Sequence, residues 1–193
     1  MTVLVVDGIQ LDFEASWQVA RWDDSPWYRD GIQRLQGEVD GRQEGTKAVD
    51  LLGLRGETPY LIEVKDFRGF SIENRRRQIQ ELPVEIGLKA RDTIAGVAGL
   101  VALGNSPDLP ARWLRAVRDP GRAVHVVAWI AEDPTRPRQA ASQRVRENVR
   151  LSGLKQKLAW LTRRVWVCDP LKQITLEDVS ATSLTGAGPA RRP

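Results

Sequence analysis

A chain of 193 residues, 41% hydrophobic and 28% charged, is long enough for one domain with its own core and too ordinary in composition to be disordered or fibrous. Its formal net charge of +4 hides an asymmetry: residues 1–66 carry 7 Lys/Arg against 13 Asp/Glu, a net of −6, whereas residues 112–164 carry 13 against 4, a net of +9. A single Cys and a single His exclude an internal disulfide framework and a His/Cys zinc site, so any metal must be held by oxygen ligands, which suit Mg²⁺, Mn²⁺ or Ca²⁺.

No apolar run approaches the roughly 20 residues that span a bilayer. The segment Met1–Asp12 lacks the basic stretch and small-residue cleavage site of a signal peptide, and the expected location is cytoplasmic. An acidic block beside a basic one fits a cation-assisted enzyme acting on a polyanion, although charge blocks also arise as solvated faces.

In chain order, Asp7-Gly8 between two apolar runs predicts an N-terminal β-hairpin, Val3–Val6 with Ile9–Phe13. Trp17–Trp22 alternates and predicts a third strand. Asp24-Ser25-Pro26 signals a helix start, with the helix running to about Leu35. Residues 37–46 are Gly-rich and polar, which predicts a loop. Ala48–Leu54 and Tyr60–Phe67, joined by Arg55-Gly56-Glu57-Thr58-Pro59, predict a second hairpin.

Residues 68–82, with Arg75-Arg76-Arg77, predict an exposed connection, and a helical pattern runs from Pro83 to about Leu103. Ala123–Ala131 predicts a buried strand and residues 139–162 a helix, with a break expected at Ser152-Gly153. Val165–Cys168 is a last strand before Asp169-Pro170. The expected organisation is one domain over residues 1–180 and a disordered tail over 181–193. The expected fold class is α/β, a mixed sheet sandwiched by helices, with the N-terminal β-hairpin as an addition.

The chemistry concentrates in the second hairpin. Alternation puts Glu63 and Lys65 on one face and Ile62 and Val64 on the other. Antiparallel pairing about the turn brings Asp50 opposite Glu63, within about 6 Å, close enough to share one hard cation. Two neighbouring carboxylates repel, and a divalent ion held by oxygen removes that cost. Such an ion polarises a phosphodiester and activates water, while an adjacent lysine orients the water or offsets developing charge. The alternative is an exposed sheet face on which Glu63 and Lys65 form an ordinary surface ion pair.

Asp50, twelve intervening residues, then Glu63-Val64-Lys65 resembles the signature of the PD-(D/E)xK, or restriction-endonuclease-like, nuclease superfamily. The resemblance spans about residues 24–131 in element order, and its motif rests on three positions. It implies a core of helix, three antiparallel strands, helix and strand. It also implies Asp50 and Glu63 as Mg²⁺ (or Mn²⁺) ligands, Lys65 as the catalytic lysine, and hydrolysis of nucleic acid, DNA ahead of RNA. Val49 stands where the name-giving Pro would be. Many members add a carboxylate on the first helix, for which Asp24 and Asp30 are the candidates here, and a polar residue on the later helix, for which Glu85 or Lys89 would serve. A homodimer or a protein partner would supply specificity that so short a chain lacks.

A nucleic-acid-binding module without cleavage is the second reading, and an interaction domain with surface ion pairs the third. Arg146, Arg150 and Lys157 fall on one helical face as candidate phosphate contacts or a solvated stripe. Trp17, Trp22, Trp129, Trp160 and Trp166 are expected in the core, and Trp27 and Tyr28 are the aromatics that could stack on bases. His125 and Cys168 read as core residues.

Overall fold

Asp7 and Gly8 both take positive φ, 46° and 75°, the backbone that a tight two-residue hairpin turn demands. The strands they join are β1 (Thr2–Val6) and β2 (Ile9–Phe13), paired with Val6 opposite Ile9. In the computed structural model, which describes residues 1–35, 37–39, 42–68, 77–104, 106–133, 140–172 and 174–184, β2 has a second neighbour. That neighbour is β10 (Val179–Ser183), so a three-stranded antiparallel sheet forms in the order β1-β2-β10. The boundary expected at residue 180 therefore falls inside a strand. Alternation within Val179–Ser183 lets Val179 and Ala181 face the core, a pattern that residues so small and low in apolar content do not announce in sequence. Residues 185–193 lie outside the described residues.

The larger sheet has five strands in the order β3-β6-β7-β8-β9. They are β3 (Trp17–Arg21), β6 (Leu51–Arg55), β7 (Thr58–Asp66), β8 (His125–Ala131) and β9 (Val165–Cys168). β3, β6 and β7 run antiparallel, whereas β7-β8 and β8-β9 are parallel. β7 is thus the strand at which the sheet changes from antiparallel to parallel. The helices are α1 (Pro26–Asp30), α2 (Leu82–Ala102), α3 (Asp108–Arg118) and α4 (Ala140–Leu158). Among the described residues no helix is long and apolar enough to cross a membrane.

Each strand feeds two cores by alternation. Leu52, Leu54, Leu61, Val126, Ala128 and Ile130 pack under the helices with Leu82, Ile86, Trp113 and Leu154. Leu51, Ile62, Val64, Val127 and Trp129 pack instead against Ile9, Leu11 and Phe13 of the three-stranded sheet. The mixed α/β sheet is as expected, but among the described residues helices cover only one of its faces. The other is covered by the N-terminal hairpin, completed by β10, because β2 presents three fully buried apolar residues at alternate positions. A clamp of Arg55 on Asp178 (2.8 Å) and Glu177 (2.8 Å) ties the β6-β7 turn to the start of β10.

Several local expectations change. The first helix stops at Asp30, followed by a 3₁₀ turn over Ile32–Leu35. The polar stretch expected as a loop contains a small hairpin, β4 (Gly37–Val39) with β5 (Arg42–Glu44). The β6-β7 turn is tighter than expected, with Thr58 already paired to Arg55. A π-helical turn, Arg77–Glu81, leads into α2, and α3 was not anticipated because Pro110 interrupts a short charged segment. Arg75 and Arg76 lie outside the described residues.

The element order also departs from the one the resemblance implies: β3 precedes α1, so the antiparallel trio β3-β6-β7 has a helix between its first two members.

Trp160 and Trp166 are 57% and 44% exposed, contrary to their apolar neighbourhoods, while Trp113 is fully buried and donates from its indole to the Tyr60 carbonyl at 3.1 Å. The α4 helix runs unbroken through Ser152-Gly153. Gly153 serves close packing there: a Cβ on it would stand 3.1 Å from Cγ of Pro83 at the start of α2. Replacing Gly153 by Val is expected to lower stability by about 1–3 kcal/mol through overpacking, read as a reduced midpoint in urea denaturation.

Candidate active site

Register decides the site. Leu51 pairs with Ile62, so Asp50, one residue before β6, continues the ladder opposite Glu63. The carboxylate of Asp50 caps this arrangement by accepting the Val64 N–H at 2.6 Å. Asp50 is held from its other side as well, because its carbonyl accepts the Trp22 N–H at 2.8 Å. The segment leading to it is pinned to α2. Thr93 Oγ1 accepts the Val49 N–H (3.0 Å) and Asp92 Oδ2 accepts the Lys47 N–H (3.0 Å). A proline at position 49 would have no N–H to offer Thr93, so Val49 supplies a bond that proline would forfeit.

Asp50, Glu63 and Lys65 come together under α2, on the helix-covered face of the sheet. Asp50 is 3% exposed and Glu63 1%. Lys65 Nζ lies 2.6 Å from Glu63 Oε1 and 3.4 Å from Glu85 Oε1. Lys89, one turn after Glu85 on α2, also reaches Glu63 Oε1 at 2.6 Å and stands 3.7 Å from Asp50 Oδ1. The carboxylate oxygens of Asp50 and Glu63 are therefore no farther apart than the sum of those two legs. Glu85 and Lys89 both join the cluster, because a helix places residues four apart on one face.

Asp24 and Asp30 do not join it. Each is more than half exposed and paired locally, Asp24 with Arg21 and Asp30 with Arg34. The carboxylate that approaches from this region is Asp23, which sequence reasoning passed over. Its position follows from Trp22, whose pairing with Asp50 carries the chain directly past the site. Burial raises the Asp23 carboxyl above its ordinary value, with Asp24 adding to the rise; Arg21 and then Lys89 oppose it, and Glu63 makes a smaller contribution. Its mutual field with Lys89 and Glu63 marks it as a neighbour of the cluster. The signal available in the sequence was Trp22 at a strand end, with the next residue an acid.

Burial, followed by repulsion from Glu63, pushes the Asp50 carboxyl up to about 7, against the opposing pull of Lys89 and Lys65. Burial alone would lower the Lys65 ammonium, but the carboxylates of Glu63, Asp50 and Glu85 outweigh it and hold the group above its ordinary value. Lys65 is thus a fixed cation in this site.

Two buried oxygens bear on metal binding. Among the described residues Glu63 Oε2 and Asp23 Oδ1 have no hydrogen-bond partner, an unusual cost for carboxylate oxygens away from water, although Arg21 stands 3.8 Å from Asp23 Oδ1 as an ion pair. Both are acceptors suited to a hard cation or its bound waters. Among the described residues no three Asp, Glu, His or Cys side chains form a ready-made cage. Mg²⁺ does not need one, since it commonly takes one or two carboxylates and completes its shell with water and substrate phosphate. Asp50 and Glu63 fit that requirement.

The remaining candidates separate. Arg150 is buried and ion-paired with Glu132 at the end of β8, so it does not belong to a surface phosphate stripe with Arg146 and Lys157. Tyr28 is buried, its hydroxyl donating to the Thr46 carbonyl at 2.9 Å, whereas Trp27 is 45% exposed and open to contact. Cys168 is buried, and burial with Asp169 pushes its thiol up to about 12, which keeps it protonated. His125 is part-exposed at the edge of a core, meeting Tyr60 edge-on and Trp166 at a tilt.

No protein-family model, no curated protein and no solved structure matches this chain. The raised Asp50 carboxyl has a measurable consequence. The folded state keeps this proton at pH values where the unfolded chain has lost it, so stability from this group is present at low pH and falls between about pH 4 and about pH 7. Denaturation in EDTA should show that decline, and Asp50→Asn should flatten it.

Proposed function

We infer that this chain is a metal-dependent nuclease of the PD-(D/E)xK kind, hydrolysing phosphodiester bonds in nucleic acid, DNA ahead of RNA. The observation that carries the reading is the buried carboxylate pair, Asp50 and Glu63, at the end of adjacent strands with Lys65 against it. A domain does not gain stability from two like charges in an apolar sheet, and such pairs are characteristic of sites that hold cations.

Asp50 and Glu63 are the residues that would hold Mg²⁺ or Mn²⁺. A bound divalent ion would supply Lewis-acid polarisation of the phosphodiester and a water of lowered pKa. The chain's own groups do the rest. The Val64 amide fixes one Asp50 oxygen, leaving the other directed towards Glu63 and Lys89. Lys65, held as an ammonium, donates to the attacked phosphate or orients the water and offsets charge as it develops. It does not serve as the base while its carboxylate neighbours keep its proton on. Asp23 is placed to accept from water near the cluster. Arg144 and Arg146 on α4 add positive charge in the basic half of the chain, which favours a polyanion.

A second reading, a nucleic-acid-binding module without cleavage, rests on one observation. The Lys89 ammonium already neutralises the carboxylate pair without a metal. Incubation with labelled single- and double-stranded DNA and RNA in Mg²⁺, Mn²⁺ or EDTA separates the two. The nuclease reading expects cleavage that EDTA abolishes, reduced on the order of a hundredfold or more in Asp50→Asn, Glu63→Gln and Lys65→Ala. Asp23→Asn should cost about 10–100-fold, in keeping with a supporting residue. Binding without cleavage in every metal would favour the module, and full activity in Asp50→Asn would remove the nuclease reading.

A further inference from the structure

Lys89 has no place in the three-residue motif, yet its ammonium lies within 4 Å of both carboxylates that would hold a metal. Its ammonium stands 2.6 Å from Glu63 Oε1 and 3.7 Å from Asp50 Oδ1, and the residue is 8% exposed. A buried lysine seldom survives without full compensation, and here the compensation comes from the proposed metal ligands themselves. The ammonium and a divalent ion would therefore draw on the same pair of oxygens.

We propose that Lys89 is a resident counter-cation of the site, holding Asp50 and Glu63 together in the metal-free protein and competing with the divalent ion for them. This rests on the nuclease reading of the same cluster. Two consequences follow from charge and connectivity. Metal binding alone must displace a well-paired ammonium, so affinity for the free ion is weak. The displaced side chain stays tethered to α2 directly over the cluster, where a substrate phosphate approaching the metal offers it a new anion. Metal and polyanion then bind cooperatively, each making the other's arrival more favourable. Lys65 does not share this role, because Glu85 gives it a second carboxylate at 3.4 Å when Glu63 turns to a metal.

The backbone favours such a rearrangement of one side chain without wider movement. Asp50 is fixed through Val64 and Trp22, and the segment before it through Thr93 and Asp92, so Asp50 keeps its place while the ammonium leaves. Glu63 Oε2, buried and without a hydrogen-bond partner among the described residues, is the oxygen that gains most from the exchange.

The test is isothermal titration of Mn²⁺ into the full chain, with and without a phosphorothioate DNA duplex that resists cleavage. In the wild type, the duplex should tighten Mn²⁺ binding at least about tenfold. Lys89→Met, of similar length and no charge, should bind Mn²⁺ alone at least about tenfold more tightly than wild type and lose most of the coupling to the duplex. Lys89→Arg, which keeps the charge, should stay close to wild type.

Lys89→Met binding Mn²⁺ no more tightly than wild type overturns the competition. Wild-type affinity unchanged by the duplex overturns the coupling, the displaced ammonium having turned to Glu85 instead. The wild-type arm needs no variant and still tests the coupling if Lys89→Met fails to fold; Lys89→Gln, which also removes the charge, then tests the competition, and Mn²⁺ binding no tighter than wild type in it overturns the proposal. A separate control addresses the nuclease reading: if Asp50→Asn with Glu63→Gln binds Mn²⁺ as wild type does, the metal lies elsewhere and the reading of the site fails with the inference.

Discussion

Two carboxylates set across neighbouring strands, each almost wholly removed from water, impose the condition that the rest of this structure answers. An ionised pair so placed costs several kcal/mol per charge unless compensated, and a protein of this size has only about 5–15 kcal/mol of net stability in total. The compensation is visible on every side of Asp50 and Glu63. Two lysine ammoniums converge on a single Glu63 oxygen, a backbone amide caps Asp50, and Asp50 shifts its own titration towards neutrality. Helix α2 carries much of this work on one stripe, with Glu85, Lys89, Asp92 and Thr93 all turned to the sheet or the segment before it.

The large apolar surroundings are what make the site demanding. β7 lies third of five in its sheet and is buried over most of its length. Strand alternation sends Ile62 and Val64 to one core, which frees Glu63 and Lys65 for the opposite face beneath the helices. The site therefore sits towards the end of the central strand that pairs antiparallel on one side and parallel on the other.

The hairpin, its register and the meeting of Asp50 with Glu63 and Lys65 were legible because they rest on period-two alternation and one turn, both local rules. So were α2 and the buried strand β8, whose apolar patterns are long. The helix face over the site was half legible. Spacing offered Glu85 and Lys89, but only tertiary packing shows that both reach the carboxylates. Asp23 was not legible, since its role depends on Trp22 continuing the β3-β6 ladder, a pairing between segments about thirty residues apart. Arg150 failed for the opposite reason. Helical periodicity counted it as surface, and its burial comes from Glu132 at the end of a distant strand. The small sheet was missed in part because β10 is built of small residues whose partner is the far end of the chain.

That last pairing bears on how the molecule comes into being. β2 lies at residues 9–13 and its neighbour β10 at 179–183, so the two are joined only after nearly all the chain between them exists. During synthesis the outer face of the five-stranded sheet, with Leu51, Ile62 and Trp129, has an incomplete cover until β10 arrives. Contacts of such long sequence separation form late and slowly, and an exposed apolar sheet face in the interval is prone to self-association. The Arg55 grip on Asp178 and Glu177 then links the completed second layer to a turn of the strand pair that carries the acidic site.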